Sequence, residues 1–184
     1  MTPEEATTRL FDVVRSGNVA KARAALAAGA DLGAWDHREQ TPLHLAVLQG
    51  RGNLARLLIA SGADVNATAS FHNTPLHLAA VQGETDIARL LIDSGANPNA
   101  GNDRQRTPLH WAAEYNHTDL VRLLLEKGAD AGARDDRGKT PLDWAAKYGQ
   151  TDLVGMLQDA PEQQQGHTDR LAKRRGGEEP HRGG

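Results

Sequence analysis

The sequence predicts an all-α solenoid of about five helix-turn-helix units with projecting hairpin loops. Three observations carry that reading. A Thr-Pro-Leu element returns at a constant interval of 33 residues, as Thr41-Pro42-Leu43-His44, Thr74-Pro75-Leu76-His77, Thr107-Pro108-Leu109-His110 and Thr140-Pro141-Leu142-Asp143. A glycine or asparagine follows each copy at the same distance, at Gly50, Gly83, Asn116 and Gly149. Apolar residues at helical spacing come next in every copy. A fixed period of this length marks units that each bury an apolar face against their neighbours.

Each unit opens on a helix start. Thr41 offers a side-chain cap and Pro42 takes the first helical position, where a missing N–H costs nothing. The first helix is short and Ala-rich, as in Leu43-His44-Leu45-Ala46-Val47-Leu48. It stops where the chain needs a left-handed residue, and Asn116 is the next most tolerant choice after glycine. Thr85-Asp86, Thr118-Asp119 and Thr151-Asp152 are expected to cap the second helix and place negative charge at its start. Its buried face reads as Leu54, Leu57, Leu58 and Ile59 in one copy, and Leu120, Val121, Leu123, Leu124 and Leu125 in another. Gly62, Gly95 and Gly128 end it. A polar stretch of about a dozen residues then leads to the next Thr-Pro, suited to an exposed turn or hairpin.

A degenerate copy precedes these four. Thr8-Arg9-Leu10-Phe11 lies one period before Thr41, but lacks the proline, and Lys21 stands where Leu54 would be. The last copy is also atypical, with Asp143 in place of histidine and Gly155 inside its second helix. Terminal units have one face in water, so polar variants suit both ends. The expected domain spans 1–160, with repeats near 3–35, 36–68, 69–101, 102–134 and 135–160, and a disordered tail spans 161–184. Lys173-Arg174-Arg175 in that tail reads as solvated charge.

The net charge is −3, so the molecule lacks the basic excess of a nucleic-acid binder. It has no cysteine, hence no disulfide and no thiolate metal site. No run approaches the roughly 18 apolar residues that cross a bilayer, and the start, Met1-Thr2-Pro3-Glu4-Glu5, is not a secretory signal. The expectation is a soluble cytoplasmic protein that binds neither nucleic acid nor membrane, a monomer outside its complex.

The Thr-Pro-Leu-His-x-Ala-Ala core, the mid-unit glycine and the Gly-Ala-Asp-x-Asn-Ala ending resemble the ankyrin repeat over roughly residues 4–160. The resemblance implies paired antiparallel helices stacked in an arc, with hairpins at right angles. It also implies that His44, His77 and His110 are structural, bonding backbone near the adjoining loops. The family often carries glycine in the hairpin turn. Here only Gly138 fits, against Glu39, His72 and Gln105.

Catalytic chemistry has little support. His44, His77 and His110 sit one unit apart, ~8–10 Å at helix packing distances, and so cannot share a metal whose ligands lie about 2 Å away. His110, Glu114 and His117 are closer in sequence and give the alternative reading, a metal-dependent enzyme or metal-binding protein. No Gly-rich phosphate loop, His-Glu-x-x-His or Gly-x-Ser-x-Gly occurs. The expected protein is not an enzyme and carries no cofactor. Trp111 and Trp144 replace Leu45 and Leu78 and read as core. Trp35 and Phe71 fall in polar connecting segments, where an aromatic side chain is either a binding anchor or cover for a neighbouring loop.

The function expected is a non-catalytic protein-interaction module, an adaptor or an inhibitory or regulatory subunit. In the family that the sequence resembles, partners meet the hairpin tips and the exposed side of each first helix, the concave face. Carried onto this chain, those positions are His37, Arg38, Gln40, Leu48 and Gln49; then Ser70, Phe71, Asn73, Val81 and Gln82; then Asp103, Arg104, Arg106, Glu114 and Tyr115; then Asp136, Arg137, Lys139, Lys147 and Tyr148. Six are basic and three acidic, a surplus of +3 on a chain of net charge −3. Leu48, Phe71, Val81, Tyr115 and Tyr148 add an apolar and aromatic track. The partner expected is therefore a protein with an acidic, partly apolar surface.

Overall fold

A computed structural model describes residues 1–160, so the tail over 161–184 and its basic cluster lie outside the described residues. Nine α-helices are bounded within that span: α1 (Pro3–Ser16), α2 (Val19–Ala27), α3 (Pro42–Leu48), α4 (Gly52–Ala60), α5 (Pro75–Gln82), α6 (Thr85–Asp93), α7 (Pro108–Glu114), α8 (Thr118–Glu126) and α9 (Pro141–Lys147). Residues 151–160 are helical as well and complete the last pair. There is no strand among the described residues, and none of their helices is long and apolar enough to cross a membrane. Helices α1, α3, α5, α7 and α9 pack in succession as one layer, α2, α4, α6 and α8 as a second, and each pair packs within itself. The chain is thus an all-helical stack of two layers.

Two apolar ladders run through it at the repeat period. Leu10, Leu43, Leu76 and Leu109 are fully buried in the first layer. Ala25, Leu58, Leu91, Leu124 and Leu157 are buried in the second. Each such leucine stabilises the stack by roughly 1.5–3 kcal/mol. Leu142, the fifth rung of the first ladder, is only half-buried, since no further unit among the described residues covers it.

Helix starts depart from expectation in two places. Helix α1 begins at Thr2-Pro3, six residues ahead of the aligned Thr8, and Thr2 forms a capping box with Glu5. The first copy therefore has its own Thr-Pro start, displaced along the chain. In the second layer, Thr85 and Thr118 are first helical residues and not caps. The cap positions are Arg51, Glu84 and His117, with no side-chain cap bond. Their backbone, near φ −80° and ψ 70°, is that of an inverse γ-turn, closed by Gly52 N–H to Gly50 O, Thr85 N–H to Gly83 O and Thr118 N–H to Asn116 O. A two-residue turn leaves no room for a free cap.

The histidines lock one unit to the next. In the third and fourth units the backbone N–H of Thr74 and Thr107 donates to Nδ1 of His77 and His110 at 3.1 Å. That Nδ1 must therefore be the acceptor nitrogen, and Nε2 carries the proton. Nε2 donates to a carbonyl of the following hairpin: His44 to Asn73 O at 3.1 Å, His77 to Arg106 O at 2.9 Å, His110 to Lys139 O at 3.0 Å. The imidazoles of His77 and His110 thus cap their own helices, and all three clamp the neighbouring unit, as the resemblance implied. Asp143 keeps the capping half of this task, accepting from Thr140 N–H at 2.8 Å. The clamp needs a ring donor, and aspartate at the last unit does without one. Asn66 and Asn99 tie the far ends of the same units, donating to Gly95 O and Gly128 O.

One position in every hairpin turn is left-handed whatever residue fills it. Glu39, His72, Gln105 and Gly138 all take positive φ, from 55° to 70°. Three non-glycine residues thus hold a left-handed backbone that costs each roughly 1 kcal/mol relative to glycine. Glu39 and His72 use their side chains on neighbours, Ser70 and Asp103 respectively.

Gln105→Gly is therefore expected to stabilise the protein by about 1 kcal/mol, and Gly138→Ala to destabilise it by a similar amount, in urea unfolding. Burial holds the histidine pKa values below their ordinary value near 6.5, that of His77 at about 4. On acidification the unfolded chain takes up protons first, so the stability these rings supply is complete above pH ~6.5 and declines as pH falls towards about 4. His77→Ala removes part of that slope and costs about 3 kcal/mol at neutral pH, because Thr74 N–H and Arg106 O lose their partner. Denaturant unfolding at a series of pH values measures both.

Candidate protein-binding face

The face shared by the first-helix layer and the hairpins holds all thirteen residues expected to meet a partner most directly. Arg38, Phe71, Arg104, Tyr115, Arg137, Lys139 and Tyr148 are exposed. Gln40, Leu48, Asn73, Val81 and Glu114 are half-buried, and Arg106 is 5 % exposed. Several of these are committed to the protein itself. Asn73 donates to Ser70 O and accepts from Asn102 Nδ2 at 3.0 Å, bridging two hairpins. The backbone carbonyls of Leu48 and Val81 accept from Gln82 Nε2 and His117 Nε2.

Arg106 is the main correction. Expected as a contact residue, it is enclosed instead. Its guanidinium carbon lies 3.7 Å from the ring centre of Trp111, in its own unit, and 4.4 Å from that of Trp144, in the next. Nη2 donates to the Glu114 carboxylate in an ion pair. A planar cation between two indoles gains from both ring faces, and more so when shielded from water. Trp111 is only half-buried, so its ring belongs to this face as much as to the core. The signal was in the sequence: Trp111 and Trp144 are one period apart, and a cation at the position of Gln40, Asn73 and Lys139 falls between them.

Further contacts extend the stack outward. Tyr115 lies parallel to Trp111, with ring centres 6.1 Å apart, and Tyr148 parallel to Trp144 at 6.4 Å. Tyr148 donates its hydroxyl to Glu114 at 3.2 Å, and Gln150 Nε2 donates to Glu114 O at 2.8 Å. The Trp144 indole donates to Asp135 at 3.0 Å. Burial pushes the Asp135 pKa up, but that effect is outweighed by the N–H groups of Lys139 and Arg137 and by the indole, so the carboxyl stays below its usual range. Tyr115 and Tyr148 remain about half exposed, at 48 % and 50 %. Each is a broad ring fixed by stacking before any partner arrives.

The hairpin of the third unit is built differently. Asp36, Asn102 and Asp135 each accept two backbone N–H bonds across their turns, as Asn102 does from Arg104 and Arg106. Ala69 occupies the equivalent place and has no acceptor. The chain there forms a 3₁₀ turn, Ser70–His72, in which Phe71 also adopts a left-handed φ of 60°. Its ring is 71 % exposed. Strain at a non-glycine residue and an apolar ring in water together distinguish Phe71 from the other hairpin residues. Trp35, at 66 % exposed, is the other large apolar side chain left in water by a connecting segment.

The metal alternative fails on geometry. Both ring nitrogens of His110 are engaged, by Thr107 and Lys139 O, and His117 Nε2 bonds Val81 O beneath Gly83. Among the described residues no group of histidine and carboxylate side chains is placed to hold a metal.

A family model of ankyrin repeats in three copies matches residues 10–102 and again 95–169. The chain belongs to the ankyrin-repeat family. Ankyrin repeats generally serve as protein–protein interaction modules, and the family is typically non-catalytic. No curated protein matches this chain.

Arg106→Ala is expected to destabilise by about 3 kcal/mol, leaving Glu114 without its counter-ion and both indoles uncovered. Arg106→Lys restores less than half of that, since an ammonium cannot lie flat between two rings. Urea unfolding at neutral pH checks both.

Proposed function

We propose that this protein is a non-catalytic binding subunit, an adaptor or an inhibitor, that covers part of a protein partner through its hairpin tips and first-helix face. The observation that carries the reading is the pre-stacked aromatic surface at Tyr115 and Tyr148, continued by Phe71 on its strained hairpin. Large rings fixed in place lose little entropy on binding, and tyrosine and arginine are favoured at the energetic centres of interfaces.

Charge defines the partner further. The ion pair of Arg106 with Glu114 removes one cation and one anion from the surface, so the +3 surplus of this face persists. The partner surface proposed is acidic and partly apolar, and the site of action is the cytoplasm. The residues proposed to touch it are Arg38, Leu48, Phe71, Val81, Arg104, Tyr115, Arg137, Lys139 and Tyr148, with Gln40 and Asn73 at the edge. Arg106 and Glu114 shape the face from beneath.

Affinity capture with the immobilised protein tests this. A protein partner recovered by the native chain should be lost, or bound at least tenfold more weakly, by the double variant Phe71→Ala, Tyr115→Ala with unchanged melting temperature. Undiminished binding by that variant contradicts the placement.

A further inference from the structure

The fourth and fifth units differ from the others in what they leave unsatisfied. Arg104, Arg137, Lys139 and Lys147 are exposed, and no carboxylate among the described residues lies within ion-pair reach of them. Lys147 Nζ instead sits over the Trp144 and Tyr148 rings, at 4.6 and 5.0 Å from their centres. Of the nearby acids, Glu114 is taken by Arg106, Asp135 by its turn and Trp144, and Asp103 by His72. Asp136 alone of these is exposed and unpaired. This end of the face has a surplus of cations.

Its apolar features are periodic. Tyr115 and Tyr148 terminate equivalent helices, α7 and α9, and are stacked in the same way on equivalent tryptophans. They are therefore one packing distance apart, ~8–10 Å. A chain in polyproline II advances ~3.1 Å per residue with three residues per turn, so residues three apart lie on one face and span ~9 Å. A helix advances only ~4.5 Å over three residues and does not match.

We propose that the fourth and fifth units bind an extended acidic segment of the partner, with two apolar residues three positions apart seated on Tyr115 and Tyr148 and carboxylates between and beside them. This deepens the proposed function and rests on it. The carboxylates meet Lys147, Arg137, Lys139 and Arg104. Glutamate or aspartate supplies the charge, and proline or a branched aliphatic residue fits the ring faces in an extended chain.

The test uses fluorescent peptides on the full chain. The parent peptide carries two prolines three positions apart among glutamates; companions carry the prolines two or five apart, or replace every glutamate by glutamine. The parent should bind best, and both a changed spacing and the loss of charge should weaken binding about tenfold or more. Tyr148→Ala and Lys147→Glu should each reduce affinity several-fold, and rising salt should weaken the parent peptide alone among the charged and uncharged pair. Equal binding at all three spacings, no binding by any peptide, or indifference to both substitutions overturns the proposal. If the peptides fail while a captured partner still depends on Phe71 and Tyr115, only this segment chemistry is wrong. If that dependence also fails, the binding face itself is wrong.

Discussion

A single 33-residue unit of this protein is incomplete, and its neighbour supplies what it lacks. The imidazole of His77 illustrates the dependence: one nitrogen closes the start of its own helix and the other reaches the carbonyl of Arg106 in the next hairpin. Asn66 and Asn99 repeat the arrangement at the opposite end of the unit. Between these polar ties lie the two apolar ladders, in which every rung is covered by the rungs before and after it. Stability in such a stack is close to a sum of unit and nearest-neighbour terms. The first and last units are the ones where a rung is replaced by a smaller residue or half-exposed, as at Ala25 and Leu142.

That same dependence builds the binding face. Arg106 is seated only because Trp144 of the following unit closes over the side opposite Trp111. Glu114, held by Arg106, then receives the hydroxyl of Tyr148. Tyr148 is consequently positioned in part by a contact that crosses the boundary between units, and Tyr115 by stacking within its own. The rings of this surface are already in place, and Arg104, Arg137, Lys139 and Lys147 around them are in no ion pair with a described carboxylate. The strained Phe71 hairpin has a different origin, the absence of an acceptor at Ala69, and leaves an apolar ring in water.

Much of this was legible before any coordinates. Thr-Pro starts and Gly or Asn stops are local signals, and Pro42, Pro75, Pro108 and Pro141 each open a helix while Asn116 takes the same left-handed φ as Gly50, Gly83 and Gly149. Local signals also misled. Thr85 and Thr118 look like caps, yet the tight turn from Gly83 and Asn116 leaves them inside the helix. The fate of Arg106 was less accessible, because a side chain aligned to an exposed position was drawn inward by two rings from different units. Phe71 was visible as an aromatic in a polar loop. Its strain depended on comparing Ala69 with Asp36, Asn102 and Asp135, which spacing alone makes available.

Contact between neighbouring units assembles the aromatic face in the free protein. Proton NMR of the unliganded chain tests this through the Arg106 side-chain resonances. Enclosed by two indoles, they should lie far upfield of their unstructured positions and stay there until global unfolding. Arg106 signals near unstructured values in an otherwise folded protein would contradict it.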